Sequence, residues 1–144
     1  MELAGEFTLS GPPERVRSTL RDRETVGRLV PAVADFVPVG PGEYAGTVVV
    51  GRPPLGRSYP ARLVVREDRG GDALALTLTG TGRAEGMHAF AHCQLRPGAQ
   101  SGTTLLSYAL TAEFGAISGL FASFAGRMVG DFFRGLDGEL ARGG

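Results

Sequence analysis

The hydrophobic pattern of this 144-residue chain predicts an α+β fold, a curved antiparallel sheet of seven strands covered on one face by a long C-terminal helix. Three observations carry the prediction. Residues 32–114 repeat with period two between glycine- and proline-rich breaks, residues 116–142 switch to steps of three and four, and a short helical pattern follows the first strand. No linker, internal repeat or low-complexity segment divides them, so residues 1–144 read as one domain. A chain of this length buries about two-thirds of its surface on folding, enough for a core without disulfides or metal.

Each element has a local cause. Leu3, Phe7 and Leu9 alternate with Glu2, Glu6 and Thr8 as a strand does. Ser10-Gly11-Pro12-Pro13-Glu14 is a helix start with Ser10 as the expected N-cap and proline in the first turn. Val16, Leu20, Val26 and Leu29 then supply the stripe of one or two short helices over residues 12–29, which Pro31 stops. Strands are expected near 32–39, 43–50, 58–67, 73–81, 84–95 and 103–114. Tyr59, Ala61, Leu63 and Val65 oppose Ser58, Arg62 and Arg66; Leu74, Leu76 and Leu78 oppose Thr77 and Thr79; Leu106, Tyr108 and Leu110 oppose Ser107 and Thr111. One face is apolar and the other wet, as in an antiparallel sheet covered on one side. Ile117, Leu120, Phe121, Phe124, Met128, Phe132, Leu136 and Leu140 form the stripe of the last helix, which drifts by about a quarter turn along its length. A bend near Gly126 or Gly130 would account for that drift.

Composition excludes several classes of function. The 15 basic and 15 acidic residues cancel, so no basic field argues for nucleic acid. All 15 basic residues are arginine, which removes lysine Schiff-base and phosphate-loop chemistry. The acidic start Glu2 to Glu6 is no signal peptide, no run of 18 apolar residues exists, and the lone Cys93 fits a reducing compartment. A cytoplasmic protein is expected. Of the 23 glycines, those in strands (Gly5, Gly46, Gly80, Gly82, Gly86) suit a sheet bent around a helix.

Motifs for catalysis are weak. Gly51-Arg52-Pro53-Pro54-Leu55-Gly56-Arg57-Ser58 has phosphate-loop spacing, but two prolines remove N–H donors and a strand follows in place of a helix. A hairpin loop is the expected structure. His88 and His92 sit ~13 Å apart along a strand, with Cys93 on the other face, so they form no metal site. There is no nucleophile elbow, and Asp35, Glu43, Glu85 and Glu113 are scattered. No catalytic residue, metal or cofactor is expected.

The order of elements resembles the helix-grip fold of the START-like superfamily (SRPBCC, Bet v 1-like), and within it the CoxG family, named for the G component of carbon monoxide dehydrogenase. The carriers are Ser10 to Val16, Leu29-Val30-Pro31, Gly80 to Gly86, Thr103 to Tyr108, and the last helix through Gly119, Gly126 and Phe132-Phe133. Pro31-Ala32 stands where the family usually has Pro-Gly. The resemblance implies an apolar cavity between sheet and helix, and a non-enzymatic accessory to molybdenum-containing carbon monoxide dehydrogenases, with a quinone carried by some members. Longer members end in a membrane-engaging tail; this chain stops at Gly144, so tail-borne recruitment is not expected.

The expected function is therefore binding of a small hydrophobic ligand, lipid- or quinone-like. Phe121, Phe124, Met128 and Phe132 would face Leu63, Leu74, Leu76, Leu78, Leu106 and Leu110 across the cavity, with Tyr59, Tyr108 and His88 as its polar handles. Two alternatives stand beside it. A cyclase or hydrolase would need a tyrosine or histidine paired with a carboxylate inside. An adaptor would use the small-residue strip Gly119, Ala122, Ser123, Gly126 and Gly130 to approach a molybdenum hydroxylase or a second copy of the chain.

Overall fold

A computed structural model describes residues 2–29, 35–50, 57–68, 70–113 and 118–142, and omits the side chains of Arg23, Val50 and residues 118–124. Chain order gives β1 (Glu2–Leu9), α1 (Pro13–Arg21), α2 (Arg23–Leu29), β2 (Val37–Gly40), β3 (Glu43–Val50), β4 (Arg57–Glu67), β5 (Ala73–Gly80), β6 (His88–Pro97), β7 (Thr104–Glu113) and α3 (Ser118–Arg142). The strands form one seven-stranded sheet in the order β1-β7-β6-β5-β4-β3-β2. Strands β2 to β7 therefore meander between neighbours, and β1 joins the far edge beside β7 with Glu2 opposite Thr111. Every pairing is antiparallel.

The expected architecture holds, with local corrections. The N-cap of α1 is Pro12, not Ser10. Ser10 is drawn away because its backbone N–H donates to Asp137 Oδ1 on α3 at 2.8 Å. Asp22 ends α1 and starts α2: its carboxylate accepts from the Thr25 hydroxyl at 2.8 Å, and that bond holds its pKa below the usual carboxylate range. The strand expected over 32–39 is Val37–Gly40; residues 30–34, including the Pro31 stop, lie outside the described residues. The strand expected from residue 84 begins at His88, because Gly82–Ala84 form a 3₁₀ turn, with Gly82 at φ 56° and Gly86 at φ 95°. Those two glycines serve a turn, not a strand.

Three other strand glycines sit where something lies flat against the sheet. Gly80 lies under the Ala84 carbonyl of the 3₁₀ turn and Gly5 under the Tyr108 ring. A Cβ on Gly46 would lie 2.8 Å from the Phe36 Cα. The sheet is bare of side chains at these points so that its neighbours can close on it.

Two hydrophobic clusters make the core, at opposite ends of the sheet's inner face. The first holds Phe36, Val48, Tyr59, Ala61, Ala84, Met87, Ala112 and Ala125, with Tyr44, Leu63, Leu78 and Ala89 against it. The second holds Leu9, Val16, Leu95, Leu106, Phe133, Leu136 and Leu140, backed by Phe7, Leu20, Leu29, Tyr108, Val129 and Phe132. The drifting stripe of α3 now has a cause. Ala125 serves the first cluster and Val129 to Leu140 the second, at different angles around the helix.

Polar contacts lock the second cluster. The buried Thr104 hydroxyl donates to the Gly11 carbonyl at 2.7 Å, and the Arg15 guanidinium donates to the Leu140 carbonyl near the end of α3. A cation at that end also complements the helix dipole. Arg28 pairs with Glu139 at 3.3 Å and joins α2 to α3.

Thr104→Val is expected to lower stability by about 1–3 kcal/mol in chemical denaturation, because it leaves the Gly11 carbonyl buried without its donor. Gly46→Ala is expected to cost about 1–3 kcal/mol through overlap with Phe36. Gly126→Ala should stabilise by about 0.5–1 kcal/mol, since nothing lies within 4 Å of a Cβ there and alanine favours the helix.

Candidate functional site

The inner face of the sheet can be followed as rows of residues facing one another across the strands, successive rows about 7 Å apart. Ala112, Ala89, Leu78, Leu63 and Tyr44 form one row, all belonging to the first cluster or packed against it. Phe7, Leu106 and Leu95 form another and belong to or back the second. Two rows lie between them. Leu3, Leu110, Ala91, Leu76 and Val65 run in register across β1, β7, β6, β5 and β4, and Gly5, Tyr108, Cys93 and Leu74 run beside them.

These middle rows are half-buried. Tyr108 packs on the second cluster, its ring 5.0 Å from that of Phe133; among the described residues the others join neither cluster. Met128 of α3 is likewise half-buried and in neither. Apolar residues in the centre of a covered sheet are ordinarily the most buried of all. Here the two ends are packed and the middle is not. The small residues Ala91 and Cys93 of β6 contribute, standing opposite Leu76 and Leu74.

The site residues expected from sequence divide accordingly. Leu74, Leu76, Leu110 and Met128 line the half-buried middle, and Tyr108 borders it. Leu63 and Leu78 pack on the first cluster, Phe132 on the second, and Leu106 is buried within the second, so these four belong to the packed walls. Tyr59 is 9% exposed inside the first cluster. The side chains of Phe121 and Phe124 lie outside those described. His88 is a correction. It lies on the outer face with Phe90 and His92, 3.7 Å from Glu113 on the neighbouring strand, and its side chain is 56% exposed. Strand β6 starts at His88, and from there the alternation sends Ala89, Ala91 and Cys93 inward.

Leu3, Val65, Ala91 and Cys93 also border this region, though the sequence pattern did not single them out as site residues. The signal for them was the run of small inward residues on β6, which alternates with the two histidines.

The chemistry of the middle rows is apolar. Burial pushes the Cys93 thiol above its usual pKa, so at neutral pH it is protonated and a poor nucleophile. No side-chain carboxylate is buried; all 15 fall within the described residues, and all but Asp137 and Glu139 are exposed. Those two face Ser10 and the arginines Arg28 and Arg142. Among the described residues no three of His, Cys, Asp or Glu cluster for a metal. No described helix is long and apolar enough to cross a membrane. The segment Gly51–Gly56 lies outside the described residues, and Arg57-Ser58 open a strand, not the helix a phosphate loop requires.

Comparison with known proteins agrees with this architecture. A conserved protein from Geobacillus kaustophilus superposes with a TM-score of 0.84 at 23% identity, covering 99% of this chain and 96% of that one. A START superfamily protein from Mycobacterium smegmatis gives 0.74 at 14% identity over 98% and 97%. Norcoclaurine synthase from Thalictrum flavum gives 0.67 at 8% identity over 98% and 86%. At these identities the likeness is one of fold, the START-like helix-grip fold. None of the curated proteins matches the sequence. The family model of CoxG, the G component of carbon monoxide dehydrogenase, does match, over residues 5–140, which takes in all three helices and all or nearly all of every strand. The chain belongs to the carbon monoxide dehydrogenase CoxG family.

Proposed function

We propose that this chain is a non-enzymatic, cytoplasmic carrier of a small hydrophobic ligand, lipid- or quinone-like, and that it serves a molybdenum hydroxylase as an accessory. The observation that carries the reading is the unpacked middle of the sheet. The row Leu3, Leu110, Ala91, Leu76 and Val65 keeps solvent exposure between two packed clusters. A ligand lying there would cover that surface at roughly 25 cal/mol per Å². Leu74, Leu76, Leu110 and Met128 would contact it, Phe121 and Phe124 would close over it from α3, and the Tyr108 hydroxyl would orient a polar group. Membership in the family supports the accessory role. A cyclase on this fold would need a carboxylate meeting a tyrosine or histidine inside, and the carboxylates stand outside.

Two measurements test the reading. The uncharged dye N-phenyl-1-naphthylamine should brighten on binding with micromolar affinity, and Ala91→Phe should abolish the signal while the melting temperature holds or rises, because the ring occupies vacant space. If the interior is closed, the dye stays dark with the wild type and Ala91→Phe destabilises by about 1–3 kcal/mol through overpacking. Native mass spectrometry of protein from a quinone-containing host would then identify the natural ligand.

Cys93 offers an internal reporter. Because burial raises its pKa, alkylation at pH 8 should run slower than for free cysteine, and saturating dye should slow it further. The same shift predicts a pH effect on stability. The unfolded thiol ionises first, so stability is untouched below the ordinary thiol pKa and declines as pH rises through it; Cys93→Ala removes that decline.

A further inference from the structure

At the end of the sheet remote from the helix-anchoring cluster, a half-open pocket of about 260 Å³ is lined, among the described residues, by Arg57, Ser58, Tyr59 and Arg83. Two guanidiniums thus share one small cavity. Neither has a carboxylate within ion-pair distance, and every side-chain carboxylate of the chain lies among the described residues. The segment 51–56 brings no counter-charge, since its sequence is Gly-Arg-Pro-Pro-Leu-Gly.

The contrast within β4 is sharp. At its far end, about 33 Å away along the strand, Glu67 holds Arg21 at 2.9 Å, and Asp72 beyond the next turn holds Arg17 at 2.6 Å. Arginines at that end are matched to carboxylates; the two at this end are matched to each other's repulsion.

Arg83 is also held in place. It rises from the 3₁₀ turn, which is tied to β4 by the Thr81 N–H donating to the Pro60 carbonyl at 2.9 Å, and its own guanidinium donates to the Ser58 carbonyl. One bond fixes its position and leaves further N–H groups of the fork free for a ligand. Ser58 adds a hydroxyl donor to the lining, and Tyr59, which belongs to the first core cluster, gives the pocket an apolar floor.

We propose that this pocket is an oxyanion site for a phosphate group. Two planar forks and a hydroxyl can reach several oxygens of one tetrahedral dianion, and guanidinium–phosphate bonds are charge-assisted and directional. The volume has room for the phosphate and part of what it is attached to. This site is not a phosphate loop: side-chain guanidiniums supply the donors, and a strand stands where that loop's helix would begin. It is separate from the middle rows of the sheet, since the first cluster stands between them.

The phosphate can belong to a lipid-like headgroup or be free, and titration separates the two. Arginine Nε–H signals in ¹H–¹⁵N spectra are followed with inorganic phosphate, dodecyl phosphate and 1-dodecanol as probes, at low and at physiological salt. Inorganic phosphate should shift the Arg57 and Arg83 signals with a millimolar Kd that weakens with salt. Dodecyl phosphate binding at least tenfold tighter than both other probes identifies a headgroup site; equal affinity of the two phosphates identifies a free-phosphate site. Arg57→Gln should raise the phosphate Kd at least tenfold, and the double substitution with Arg83→Gln should abolish binding. Both arginines are exposed, so melting curves of the variants should match the wild type. The proposal is overturned if phosphate leaves both signals unmoved, or if its affinity survives Arg57→Gln and Arg83→Gln together. These outcomes do not depend on whether the uncharged dye binds the interior.

Discussion

The fold depends on how the last turns of α3 are seated at the junction of β1 and α1. Leu136 and Leu140, fully or almost fully buried, sit among Leu9, Val16 and Leu106. The chain entering and leaving that spot is held by Ser10 to Asp137, Arg15 to the Leu140 carbonyl, and Thr104 to Gly11. Apolar burial supplies the driving force there, and the polar contacts give it a unique geometry. With the helix seated at one end, its remaining length reaches the first cluster through Ala125, and the surface between need not be filled.

Charge is arranged to match. The described arginine–carboxylate pairs are carried by the helices, reaching Glu67 on β4 and Asp72 in the β4–β5 turn, all on the outside. Exposed pairs of this kind contribute little individually. Their use is to keep charge out of the interior, where an unpaired carboxylate would cost several kcal/mol. The molecule is neutral as a whole but not uniform, because Arg57 and Arg83 stand apart from any acid.

Much of this fold is legible in the sequence because alternation is a strict rule. Leu74, Leu76 and Leu78 could face only one side of a sheet once Thr77 and Thr79 faced the other. The glycine-rich breaks fell where the hairpins are. What escaped was decided by contacts far apart in sequence. Ser10 looks like an N-cap until Asp137 claims its N–H, and His88 looks like part of a longer strand until the 3₁₀ turn at Gly82–Ala84 delays that strand to His88. The candidate site was half legible. Its leucines could be read from the pattern, but whether a leucine lies in packed wall or open middle depends on what α3 presents, and Leu78 and Leu76 differ only in that.

The partner of β1 has a consequence for how the protein is made. Strands β2 to β7 each pair with a neighbour already or next to be synthesised, so their hairpins can zip by short loop closures. Strand β1 must wait for β7, and the contacts from Ser10 and Arg15 to α3 span 127 and 125 residues. On the ribosome the first strand therefore leaves the tunnel without a partner and stays unpaired until almost the whole chain has followed. Closure of the molecule is its last folding event, and it joins both chain ends in one cooperative step.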